Sequence, residues 1–480
     1  MLAVVLGLGV DESYAVAVAR RLSLSYFDHP PLAFWMAGAA ARLFHTEGRL
    51  VVRLPFILLF AATTWLLFRF SSRLFGERAG AYAALAFNLS PVFAVSHGSW
   101  VLPDGPLLFC TLAALACLAR VLFPGHDTPR HPTLWWLGAG AMTGLALLSK
   151  YHAAFLPLGT FLFLLTTRDR RHWLRRAAPY LGLVLAIALF LPVIMWNAEH
   201  DWVSFRFQGA RAAWHGGVHV AALLLTIGGQ AVYLLPWIWL PLVVGLVGGL
   251  RMGPRAPEHW FLCCSALGPI LVFGLAALGG RPSLPHWAAP GYVTLFPLLG
   301  ATLASRLARG DRWSPRWIGF AIAAFSGVVG ALAAQASTGA LTRLVPGLLR
   351  WGDPTLEALD WRELRNTLQT RGALGRADLV VAATDWIDAG KVAYALGPEV
   401  PVLCFSTMPH HFAYLYDQRQ FLGHDVVLVV RGFVGEAAVA PYTPYFQRIE
   451  WSDSVAIRRG GRLGVALTLF RARDFRAAPP

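Results

Sequence analysis

Charge is scarce in this sequence, and lysine scarcer still. Asp, Glu, Lys and Arg make up 14% of its 480 residues against 56% hydrophobic residues, and the mean hydropathy is +0.53. That balance excludes an ordinary water-soluble domain. Lys150 and Lys391 are the two lysines among 41 basic residues, so arginine is the default cation. Of the five cysteines, Cys110, Cys117, Cys263 and Cys264 fall in apolar runs and Cys404 stands alone, so no disulfide framework is expected. HExxH, paired CxxC, EF-hand and GxxxxGK[ST] spacings are all missing, as is any Asp-x-Asp pair of the kind that carries a metal-bound nucleotide sugar. No cofactor is called for, and a divalent metal would need scattered ligands. There is no fixed-period repeat and no low-complexity segment.

What the chain has is apolar runs of membrane-spanning length, about 20 residues each. They fall at 51–68, 79–100, 104–123, 133–149, 152–167, 178–196, 232–250, 261–279, 288–305 and 315–337. "MLAVVLGLGV" is apolar but stops at Asp11, too short to span, and predicts a missing upstream segment; with it the expected count is about eleven spans. The formal charge of +15 has a positional explanation. Arginines gather in alternate loops: Arg69, Arg73 and Arg78; Arg120 and Arg130; Arg168 to Arg176; Arg251 and Arg255; Arg306 to Arg316. The positive-inside rule makes those loops cytoplasmic. The intervening loops, and a soluble tail from 351 to 480, then face outward from the cytoplasmic membrane, on the periplasmic or extracellular side. This predicts a transmembrane domain over 1–350, with interfacial helices at about 11–46, and a separate outer domain.

The unusual ionisable groups all fall on that outer side. Asp11 and Glu12 open a short helical pattern; they either cap it or face a reaction site. In "YFDHPPLAFW", Pro30 and Pro31 force an extended path and then start a helix, pointing Asp28 and His29 back towards a site, unless Asp28 simply caps that helix. Asp104 lies in "LPDGPLL", where the plain alternative is turn chemistry. Carboxylates converging at one membrane surface suit general-base work. Lys150, followed by Tyr151, ends a span where a compact ammonium has been used instead of arginine; interfacial snorkelling is the alternative. Arg206, Arg211, Arg281 and His286 add cationic or imidazole groups at the same surface, which suits a phosphate.

In order along the chain, "DESYAVAVARR", "YFDHPPLAFW", "RLP" at Arg53, "LPDGPLL", "GLALLSKYHA", "WNAEHDWVSFRFQ" and "PHWAAPGY" resemble the family 39/83 glycosyltransferases of the GT-C fold. These are relatives of the aminoarabinose transferase acting on lipid A and of dolichyl-phosphate-mannose protein mannosyltransferases. The resemblance implies a polytopic α-helical membrane enzyme with an outer soluble domain, moving a sugar from a polyprenyl-phosphate carrier to a lipid, glycan or protein acceptor. It implies catalytic roles for Asp11 as base or positioning group, and for Asp28 and Asp104. Glu12, His29, Lys150, Tyr151, Arg206, Arg211, Arg281 and His286 are the expected substrate-binding residues. His29 departs from the aminoarabinose transferases, which have a lysine there, so the phosphate charge falls to Lys150, Arg206 or Arg211.

In the tail, "ADLVVAATD", "PVLCFS" and "DVVLVVRG" alternate with helical stretches and predict a small α/β domain, with Asp385 and Asp388 capping a helix. Two other function classes compete. A transporter or flippase of lipid-linked sugars would also bury ionisable groups, and a lipid-binding scaffold would keep the carrier site without turnover.

Overall fold

The computed structural model describes residues 2–477 apart from 126–127, 213–215, 281–282, 348, 350–351 and 375–377. Two short helices, α1 (Val10–Ala19) and α2 (Leu32–Leu43), precede the long helix α3 (Arg49–Phe75). After these come α4 (Asp104–Leu122), α5 (Pro132–Leu147), α6 (Ala177–Glu199) and α7 (Val203–Ala212). Among the described residues six helices are long and apolar enough to cross a membrane: α3, α4, α6, Pro236–Arg255, Pro257–Leu278 and Trp313–Thr338. The pair Pro285–Val293 and Phe296–Ala308, bent by 56°, makes a seventh if it counts as one span. The chain is a multi-pass membrane protein. The expectation of about eleven full-length spans exceeds this number because several apolar runs are broken where polar groups or prolines interrupt them. Run 79–100 becomes a helix ending at Asn88 followed by the π-helical turn Val92–His97, and run 152–167 begins as a 3-10 turn before Phe155–Thr166.

Small residues set the closest helix contact. A Cβ on Gly140 of α5 would lie 2.1 Å from the Gly182 carbonyl oxygen of α6, and one on Gly182 would lie 2.6 Å from the Trp136 carbonyl oxygen. Backbones this close gain van der Waals contact where lipid supplies no hydrophobic drive. Gly140→Val is therefore expected to destabilise the detergent-held protein by about 1–3 kcal/mol, read as a lower thermal midpoint.

The tail carries a five-stranded mixed sheet in the order β2-β1-β3-β5-β4. Strands β1 (Val380–Ala383), β2 (Val402–Cys404) and β3 (Val426–Arg431) form its parallel half. Strands β4 (Phe446–Arg459) and β5 (Arg462–Phe475) form an antiparallel hairpin, closed by Gly460 and Gly461, both at positive φ. Two such residues suit a tight hairpin turn. Helix α8 (Trp386–Leu396) follows β1 and is capped by Asp385, which accepts from Ile387 N at 2.8 Å. Asp388 is not a cap: it is buried and pairs with Arg431 of β3.

The tail and the helices α1 and α2 share one hydrophobic core, which includes Tyr14, Val18 and Phe34 together with Val381, Val392 and Leu467. Helix α8 approaches α1 so closely that a Cβ on Gly390 would sit 2.9 Å from the Tyr14 Cα. Lys391, whose ammonium burial pushes down to about 8, donates to the carbonyl oxygens of Leu8, Glu357 and Leu359 at 2.7, 2.9 and 2.6 Å. This packing holds the tail against the segments that carry Asp11 and Asp28.

Candidate active site

Asp104 and Lys150 form the centre of the site. The Lys150 ammonium donates to both Asp104 oxygens, at 2.9 and 3.0 Å, and both side chains are buried. Asp104 does not sit in a free turn. It opens α4, following Pro103, so its carboxylate meets the positive end of a helix as well as the lysine. Arg120 stands in the last turn of α4, about 24 Å away at 1.5 Å per residue, so one helix separates the acidic and basic ends of the bundle. His97, at the end of the π-helical turn, places Nε2 3.7 Å from Asp104. His29 and His286 lie close enough to feel the charges of both Lys150 and Asp104, as does His152. The Nδ1 atoms of His29, His97 and His152 are buried without a hydrogen-bond partner among the described residues. Buried polar atoms are nearly always satisfied, so these orphans mark a place where a ligand or water completes the structure.

Asp11 differs from every other carboxylate here. It lies in the first turn of α1, its side chain is exposed, and among the described residues it makes no hydrogen bond or ion pair. Protein nevertheless crowds around its carboxyl group. Burial, with the negative charges of Glu357, Asp28, Glu12 and Asp104, pushes its pKa up to about 6. A carboxylate poised that near neutrality suits a general base.

Glu12 is consumed by the scaffold. Its Oε1 accepts from Arg53 Nε at 2.7 Å and Val101 N at 3.0 Å, and its Oε2 accepts from Gly9 N at 2.9 Å. The capping alternative therefore applies to Glu12 but not to its neighbour. Arg53 is almost wholly buried and also donates to the carbonyl oxygens of Leu6 and Gly7 at 3.0 and 2.9 Å, so this network fixes the strand of chain entering α1.

Asp28 is held on both sides. One oxygen accepts from the Tyr14 hydroxyl and the other is bound by His410 Nδ1, while the Asp28 carbonyl accepts from Gln208 Nε2 at 2.6 Å. It caps no helix; α2 starts after Pro31. Burial is the largest influence and opposes its charge, but His410, His29 and the Tyr14 hydroxyl together outweigh burial and hold the carboxyl below its ordinary value. Burial, and then the charge of Lys150, lower His29 to about 4, so at neutral pH it offers a neutral imidazole rather than a cation.

The other expected residues are spread more widely. Tyr151 packs its ring against Phe205 at 5.3 Å. Arg211 lies over Phe207 at 4.5 Å and Trp287 at 5.8 Å, and its charge reaches His29. Arg206 is exposed, and its charge reaches Tyr414. Arg281 falls outside the described residues. The histidines of the site other than His29 and His286, and the whole contribution of the tail, are additions to the expected set. Tyr14 was visible as the residue one turn beyond Asp11 on the same helix face. Nothing in the sequence connects "MPHHF" at 408–412 with Asp28.

Among the described residues, no group of three or more His, Cys, Asp or Glu side chains is placed to hold a metal ion.

Comparison with solved structures settles the architecture. ArnT from Cupriavidus metallidurans, in a crystal structure bound to undecaprenyl phosphate, superposes with a TM-score of 0.65 at 17% identity, covering 98% of this chain and 95% of that one. The chain has an ArnT-like GT-C fold. Within that GT-C frame, the family described as dolichyl-phosphate-mannose-protein mannosyltransferase matches residues 28–196. The lipid A galacturonosyltransferase RgtD of Rhizobium johnstonii is 26% identical over 285 residues, covering 59% of this chain and 58% of the relative. The undecaprenyl phosphate-alpha-4-amino-4-deoxy-L-arabinose arabinosyl transferase 2 of Proteus mirabilis is 24% identical over 285 residues, covering 57% and 49%. The matched stretch thus spans about half the length of these curated relatives. The resemblance read from the motifs is borne out.

Proposed function

We propose that this protein transfers a sugar from a polyprenyl-phosphate carrier to a lipid acceptor of the lipid A type, or to a glycan or protein acceptor, on the outer face of the cytoplasmic membrane. The observation that carries the reading is a carboxylate poised near neutrality and without a partner among the described residues, Asp11, whose charge interacts with that of Asp104, the carboxylate that holds the buried Lys150 near orphaned imidazoles. In this reaction the bond between the anomeric carbon and the carrier phosphate oxygen breaks, and the electron pair leaves with the phosphate. Lys150 and Arg211, with hydrogen bonds from His29, His97 and His152, stabilise that growing negative charge. The acceptor oxygen forms the new bond to the anomeric carbon, and Asp11 orients it and takes its proton. Asp104 holds the Lys150 ammonium in place, and Asp28 acts as a fixed orienting carboxylate rather than as a base, because both its oxygens are already bound.

The names of the relatives support a carrier of this kind and an acceptor of the lipid A kind. The arginine-rich loops support placing Asp11, Asp104 and the tail on the outer side. The transmembrane region over 1–350 and an outer domain from 351 remain the domain division we favour, its boundary lying outside the described residues.

The test is turnover of labelled polyprenyl-phosphate sugars by nanodisc-held protein in the presence of acceptor lipids. Transfer of one labelled sugar is the expected result. Failure with every donor, together with carrier-dependent translocation of the lipid-linked sugar, would replace this reading with transport.

A further inference from the structure

The loop 408–412 of the tail enters the membrane domain's site. His410 binds Asp28 through Nδ1. The next residue makes two further bonds across the same junction: His411 N donates to the Tyr14 hydroxyl at 3.0 Å, and His411 Nδ1 accepts from Phe27 N at 3.2 Å. The His410 ring is stacked on Trp386 at 4.3 Å and edged by Phe27 at 5.3 Å, Phe207 at 5.5 Å and Tyr14 at 6.2 Å. Its walls therefore come from α8 of the tail, from α1, from α7 and from the loop bearing Asp28. His410 also adopts a φ of 55°, a left-handed backbone that a histidine holds only where its surroundings enforce it. Strain of this kind concentrates at functional sites.

Asp28 immediately precedes His29, whose ring lies near Lys150 and has an unpartnered Nδ1. Whatever fixes Asp28 therefore fixes the backbone that carries His29. We propose that His410 is a positioning residue of the transfer site: through its bond to Asp28 it sets the loop that presents His29 beside Lys150, so the tail completes the site instead of only covering it. This inference rests on the sugar-transfer reading given above.

The experiment compares His410→Ala, His410→Asn and His410→Gln in the full chain held in nanodiscs, using the labelled donor that the wild-type protein turns over. An asparagine amide reaches the place of Nδ1 and restores the bond to Asp28, whereas a glutamine amide reaches the place of Nε2 and does not. The Ala variant is expected to lose about 10- to 100-fold in kcat, the scale of a small misplacement of reacting groups. Asn is expected to recover most of that loss, and Gln little of it. Equal activity of the Asn and Gln variants, at any level, overturns the proposal, because a residue that only fills the junction between tail and membrane domain has no preference for Nδ1. Should the Ala variant not fold, the Asn and Gln pair decides the matter by the same criterion. A folded wild-type protein that transfers no donor sugar overturns the sugar-transfer reading and this inference with it. An active wild type with equal Asn and Gln variants overturns this inference alone.

Discussion

Asp11→Asn is expected to lower sugar transfer by about 10²- to 10⁴-fold, the usual contribution of a positioned base, while leaving the protein folded. The amide keeps the shape of the carboxyl and disturbs no partner, since Asp11 has none among the described residues. The pH dependence follows from the raised pKa of about 6. Only the carboxylate accepts a proton, so wild-type transfer rises with pH on an acid limb centred near 6 and levels off above it. Stability moves in the opposite direction. Because the folded protein holds the Asp11 proton more tightly than the unfolded chain does, its carboxylate opposes folding. That opposition is absent below the ordinary aspartate value of 3.8, grows through the interval up to about 6, and is complete above it. The Asn variant is accordingly expected to melt higher than wild type at pH 7.5 and together with it near pH 3.5. A melting point for Asp11→Asn that is lower than wild type at pH 7.5 would mean that Asp11 has a structural partner and would remove it as the base. Catalytic carboxylates whose charge strains the folded state commonly show this exchange of stability for activity.

Lys150→Met is expected to abolish transfer and to destabilise the protein by about 3–5 kcal/mol, because it leaves the Asp104 carboxylate buried without its main partner. The helix N-terminus and His97 remain beside it but supply only part of the lost charge. Combining Lys150→Met with Asp104→Asn removes both charges at similar volume. Replacement of a whole buried pair is often neutral, so the double variant is expected to regain most of the lost thermal stability and still to transfer no sugar. Recovery of transfer in the double variant would show that the lysine serves the fold alone. Thermal unfolding and donor turnover, measured on the same nanodisc preparations, separate the two effects.

Several features of the tail show where pattern was readable and where it was not. Strands β1, β2 and β3 are legible as short β-branched runs, since the parallel part of a sheet is covered on both faces and its residues are continuously apolar. The long hairpin β4–β5 is masked by its charge. In "FQRIEWSDSVAIRR" the exposed and half-buried positions carry Arg, Glu, Asp, Gln and Ser, and a register shift between Trp451 and Asp453 disturbs the alternation. Asp385 reads correctly as a cap, a contact made within two residues. Asp388 does not, because its partner Arg431 is 43 residues away.

The same division runs through the membrane part. Composition, the lengths of the apolar runs and the ordered motifs from Asp11 to Tyr292 were enough to identify a polytopic protein of the GT-C kind, since lipid demands long apolar helices whatever their arrangement. The meeting of Asp104 and Lys150 was also foreseeable, because helices crossing a layer of known thickness bring alternate loops to the same side. Only the folded chain decided which of the site's carboxylates has no partner among the described residues. Glu12 found Arg53, Asp28 found Tyr14 and His410, and Asp104 found Lys150, across 41, 14, 382 and 46 residues of sequence respectively. A buried charge takes whatever partner the packing brings within about 3 Å, and a contact of that range, made between segments tens to hundreds of residues apart, leaves no periodicity in the sequence.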